Sequence, residues 1–187
     1  MSGGTPRLGP PDPASYSPEQ AAVARAIASG PRGGVRGPLA VWLHRPELAG
    51  RAQALGEYCR YGSALDPRLS ELAILVTARE WGSEYEWHAH KAHGLKAGLD
   101  PAVIEAIRVR APPPAMDDEA RAVFDVSTAL YRDRRLNDAL YGRAAAVLGE
   151  ARLVDLVGVL GYYALISMTI NVFEVGLPDG VGAELQV

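Results

Sequence analysis

Between Leu153 and Phe173 the chain is almost uniformly apolar, and this stretch constrains the fold more than any other. It is about long enough to cross a bilayer. It nevertheless contains Asp155, Ser167, Thr169 and Asn171, and no basic anchors flank its far side. An apolar helix interrupted by polar residues fits the middle of a helical domain, enclosed by its neighbours. The 187 residues suffice for one such domain and are too few for two.

The other signals are helical, with clear stops. Ser17-Pro18-Glu19-Gln20 reads as a capping box with proline at the first helical position, and Gly30 ends that helix. A Gly/Pro/Arg loop then runs to Pro38, followed by the short apolar piece Leu39 to Leu43 and a helix from about Pro46. Asp66-Pro67 and Asp100-Pro101 open two more helices, separated by the break at Trp81-Gly82-Ser83 and a helix from Glu84 that closes at Gly98. The Leu-Asp-Pro elements at 65–67 and 99–101 repeat without the remaining positions of a helical repeat, so they read as one helix-start device used twice. Asp117 or Asp118 caps the next helix, Asn137 caps one running to about Leu148, and the long apolar helix begins near Ala151. With no alternating strand pattern, the fold class is all-α. Residues 1–16 are expected to be a flexible tail, 17–177 one helical domain and 178–187 a short tail.

Charge and cysteine content exclude some functions. A formal net charge of -3 with scattered basic residues gives no footprint for nucleic acid. Cys59 is the only cysteine, so no intramolecular disulfide or C-x-x-C pair can form, which fits a reducing, cytoplasmic setting.

The chemistry concentrates in Ser83-Glu84-Tyr85-Glu86-Trp87-His88-Ala89-His90. Glu86 and His90 are four residues apart and share a helix face, which makes them a candidate proton-transfer pair. Other readings stay open. Ser83-x-x-Glu86 is itself a capping-box pattern, in which Glu86 bonds back to the Ser83 amide. His90 also reads as a buried imidazole satisfied by a backbone carbonyl or by Glu71. Glu86, His90 and His93 form an i, i+4, i+7 stripe with metal-ligand spacing. Tyr85 and Trp87 suit either core or pocket, Cys59 reads as an inert buried thiol, and Arg32, Arg36 and Arg45 are candidates for holding an anion.

The segment from Arg68 to Leu99, above all SELAILVTARE followed by YEWHAHKAHGLKAGL, resembles the carboxymuconolactone decarboxylase family. It matches the branch whose signature is Tyr-Glu-Trp-x-x-His, here Tyr85 to His90. The resemblance implies an alkylhydroperoxidase D-like helical bundle. The thiol-bearing branch of that superfamily has a Glu, a C-x-x-C pair and a His; on this sequence these fall on Glu71, Ser83, Glu86 and His90. Both thiols are missing, so dithiol chemistry is excluded. What the resemblance then implies is cofactor-free decarboxylation of a small carboxylated unsaturated lactone. His90 would deliver a proton, Glu86 would position or accept one, and Glu71 would orient His90. Trp87, Tyr85, Arg36 and Leu43 would contact the substrate. The resemblance also implies a homo-oligomer, a trimer or a hexamer, with no nucleic-acid or membrane partner. A non-catalytic helical oligomer is the contrasting expectation.

Overall fold

Short polar side chains placed before proline or the first helical turn decide where the helices begin. In the computed structural model, which describes residues 6–185, Ser17 forms both halves of its capping box with Gln20. Asp66, Asp100, Asp117 and Asn137 each accept a hydrogen bond from a backbone amide two or three residues on. The helices are α1 (Pro18–Ser29), α2 (Pro38–Trp42), α3 (Pro46–Glu57), α4 (Pro67–Trp81), α5 (Glu84–Lys96), α6 (Pro101–Arg108), α7 (Asp118–Asp133) and α8 (Asp138–Phe173). A 3-10 turn at Pro13–Ser15 precedes them, and one turn of π-helix, Tyr58–Gly62, follows α3. The described residues contain no strand, and the fold is all-α. The apolar piece Leu39 to Leu43 is largely the short helix α2.

Helix α8 is two helices in sequence, as its composition suggests. At Gly149 (φ 76°, ψ 160°) the backbone leaves the helical region before the apolar half begins. That half lies at the centre, with Leu156 and Val159 fully buried, and packs against α4 and α7. Two of its polar residues, Thr169 and Asn171, have partners that fix its depth. Thr169 accepts the Trp42 indole N–H at 2.9 Å, and Asn171 donates to the Trp81 carbonyl at 2.7 Å. By length and composition α8 could cross a membrane, yet most of its apolar window is buried inside the domain. One stripe is not covered. Val154, Val157, Met168 and Val172 are all exposed, and they lie within about 60° of arc on the helix.

The first and last described segments both lie against the bundle. Arg7 pairs with Glu174, and the His44 ring contacts the Gly9 carbonyl. At the other end the Glu84 carboxylate accepts the amides of Glu184 and Leu185, each at 2.8 Å. Glu184 in turn accepts from the Trp87 indole and from Lys91, and Leu185 is buried. This segment straps α5 in place. The extremities of the two expected tails, 1–5 and 186–187, lie outside the described residues.

Candidate active site

A tight turn at Gly82 (φ 59°, ψ 31°) and Ser83 folds α5 back on α4, so that residues far apart in sequence face each other. The left-handed backbone at Gly82 closes α4 and suits glycine. His90 on α5 thereby meets Glu71 on α4, with Nδ1 2.7 Å from Glu71 Oε2. Its other nitrogen, Nε2, lies 3.1 Å from Glu86 Oε1, one turn back on α5. All three side chains are buried. The result is a line, Glu71–His90–Glu86, with an imidazole between two carboxylates.

This geometry decides among the sequence readings. Ser83 sits at the N-cap of α5, but its hydroxyl makes no cap bond and is buried without a partner. The capping box expected at Ser83 and Glu86 is therefore not formed. Glu86 turns to His90 instead, because a bond to an imidazolium is charge-assisted and stronger than one to an amide. The Glu86/His90/His93 metal stripe is not supported either. Both His90 nitrogens already face carboxylates, leaving no lone pair for a metal, and no metal-holding group of three or more such side chains occurs among the described residues.

Burial alone would push the His90 pKa down. The hydrogen bonds to Glu71 and Glu86 and their charges overcome it, raising the pKa from 6.5 to about 9. His90 is thus an imidazolium at neutral pH, with one proton on each carboxylate contact. The Tyr163 ring stands edge-on to it, 5.0 Å between centroids.

Glu86 and His90 open on a cleft of about 380 Å³ between the 31–39 loop region, the π-turn, α5 and α8. Arg32, Arg36 and Arg60 line it, whereas Glu86 is its only carboxylate among the described residues. Tyr85 lines the cleft half-buried. Tyr162 and Tyr163 form its α8 wall, and burial holds the Tyr163 phenol well above its ordinary pKa. The Tyr163 hydroxyl is buried and has no hydrogen-bond partner among the described residues. Glycine at 56 permits the arrangement: a Cβ there would lie 2.1 Å from Tyr162 and 2.6 Å from the Arg32 guanidinium.

Of the residues singled out from sequence, Glu86, His90, His93, Tyr85, Arg32 and Arg36 line this cleft, and Glu71 stands behind His90. Leu43 and Trp87 do not line it. Both are fully buried in the core, Trp87 with its indole turned to Glu184, so they support the site rather than touch a ligand. The Leu39 to Leu43 segment reaches the cleft only through Leu39, and Arg45 lies elsewhere, at the start of α3. The sequence reading missed Arg60 and the pair Tyr162-Tyr163. Two hydroxyl-bearing rings side by side in the most apolar helix were the available signal for the latter.

Residues 46–129 match the carboxymuconolactone decarboxylase family. The match spans α3 to α7, including Glu71, Glu86 and His90, and the resemblance carried by the Tyr85 to His90 motif holds. No curated protein matches the chain significantly. Among solved structures, an uncharacterized peroxidase-related protein from Ralstonia eutropha JMP134, described as an alkylhydroperoxidase AhpD core, superposes with a TM-score of 0.73 at 15% identity, covering 93% of each chain. An uncharacterized peroxidase-related protein from Silicibacter sp. TM1040 superposes at 0.72 with 18% identity, covering 91% of this chain and 90% of its own. The debrominase Bmp8 superposes at 0.73 with 11% identity, covering 92% of each. At such identities the likeness establishes the alkylhydroperoxidase D-like fold and leaves chemistry to be argued from the residues of the site.

Proposed function

We propose that the protein is a cofactor-independent lyase that removes carbon dioxide from a small carboxylated, unsaturated, lactone-like substrate. The observation that carries this is the buried Glu71–His90–Glu86 line opening on a cleft with three arginines and one carboxylate. The arginines favour an anionic substrate. When the carbon–carbon bond to the carboxylate breaks, its electron pair moves into the conjugated carbonyl and gives a dienolate. The cleft arginines are suited to stabilise the developing oxyanion. A proton must then reach carbon. The His90 proton shared with Glu86 at 3.1 Å is the one to give up, directly or through Glu86, because the shorter bond to Glu71 holds the opposite nitrogen. Solvent restores the imidazolium through the same pair.

The test is to incubate the purified protein with a panel of carboxylated unsaturated lactones in deuterated water. Carbon dioxide release with one deuterium on a carbon of the dienolate, either the one alpha to the carbonyl or the one that bore the carboxylate, is expected. Absence of both release and carbon-bound exchange across the panel would refute the reading.

Two further expectations belong here. Cys59 is buried, burial pushes its thiol pKa up, and it has no second thiol to pair with. Cys59→Ala should therefore retain turnover, and peroxide reduction with dithiol donors should be absent; peroxide turnover abolished by that substitution contradicts the proposal. The exposed stripe Val154, Val157, Met168 and Val172 calls for a cover, and a second copy of the chain in a cytoplasmic trimer or hexamer provides it. Light scattering after size exclusion should give several times the 19.9 kDa chain mass, and a monodisperse monomer at micromolar concentration contradicts it.

A further inference from the structure

Asp155 is a buried carboxylate in the most apolar helix of the chain, and the proton-transfer line does not use it. Its two oxygens have separate tasks. Oδ1 accepts the Tyr58 hydroxyl at 2.6 Å, and Oδ2 accepts the Ala64 amide at 2.7 Å. These partners bracket the π-turn Tyr58–Gly62 from both sides. A π-turn inserts extra backbone into a helix and is rarely kept without a local reason. Here it delivers Arg60 and Tyr61 to the cleft. The Arg60 guanidinium lies over the Tyr61 ring, 5.4 Å from its centroid, and donates to His93 Nε2 at 3.0 Å. The His93 ring is in turn 5.9 Å from that of His90. A buried carboxylate held by two hydrogen bonds is a costly way to secure a surface turn, and a hydrophobic residue would pack α8 more cheaply.

We infer that Asp155 is a positioning residue: by clamping the π-turn at Tyr58 and Ala64, it fixes the guanidinium of Arg60 at the cleft, where it receives the anionic group of the substrate. This rests on the reading of the cleft as an anion-binding active site, and the experiment separates the two. The clamp has a ligand-free reporter. Burial, and then the charge of Arg60, hold the His93 pKa below its ordinary value. NMR titration of His93 should show its midpoint rising in Asp155→Asn and in Arg60→Gln. The double variant should rise no further than Arg60→Gln alone, because both changes remove the same contact. Tyr58→Phe, which alters a half-exposed side chain and spares the fold, should shift His93 the same way by less. An unchanged His93 midpoint in Asp155→Asn and Tyr58→Phe overturns the inference; if Asp155→Asn does not fold, Tyr58→Phe decides it alone. Calorimetry with maleate, a small dicarboxylate, reads the second half. Asp155→Asn and Arg60→Gln should each weaken binding at least about tenfold, again without adding. Additive losses refute the clamp, whereas failure of the unaltered protein to bind maleate refutes the anion-binding reading while the His93 titration still judges the clamp.

Discussion

Glu86→Gln and His90→Asn should each lower turnover by about 10²–10⁴-fold, the usual loss when a positioned acid or base is removed. Gln at 86 keeps an acceptor for His90 but cannot carry a proton, so its loss would isolate proton transfer from packing. Asn at 90 removes the imidazolium altogether. Circular dichroism at neutral pH without denaturant should show the helical fold retained in both, although each loses a buried charge partner and is expected to be less stable. The alkaline limb of the rate profile should fall as His90 loses its proton near pH 9. Full activity in either variant on an identified substrate removes these residues from the reaction.

The second large effect is on stability. His90 carries a pKa of about 9 in the folded protein and about 6.5 in an unfolded chain, so folding favours its protonated form. The stabilisation is fully present below about pH 6.5, declines as pH rises and is gone above about pH 9. A shift of that size corresponds to about 3 kcal/mol, a sizeable share of a domain's total stability. Urea midpoints measured from pH 6 to pH 10 should fall across that window, and His90→Asn should flatten the curve. A wild-type midpoint independent of pH between 6.5 and 9 would show that His90 does not carry the charge inferred here.

The helix boundaries were legible because local chemistry writes them. Ser17, Asp66, Asp100, Asp117 and Asn137 each satisfy an amide two or three residues away, a range that sequence alone spans. The pairing of Glu86 with His90 was legible for the same reason, being one helical turn. Glu71 and His90 are joined by the fold, across the turn at Gly82, so the residues alone left Glu71 as one of two partners for His90 and the family resemblance pointed to it. Ser83 misled because one carboxylate, Glu86, is placed both to close a capping box three residues back and to pair with His90 four residues on. Competition from an imidazolium, a tertiary fact, settled where Glu86 points. Arg60 escaped notice because the π-turn adds to the helical count and rotates the residues after Glu57 off the face that a 3.6-residue period assigns them. Leu43 and Trp87 lie close in sequence to cleft residues, but burial sends them the opposite way.

The strap formed by Glu84, Glu184 and Leu185 gives the molecule a built-in gauge. The amides of Glu184 and Leu185 are bonded to a carboxylate on the same helix that carries Glu86 and His90. Their rate of exchange with heavy water therefore reports how firmly α5 is seated, at positions that do not line the cleft. A variant that disables turnover without altering those two amides has changed chemistry alone. One that speeds their exchange has loosened the scaffold.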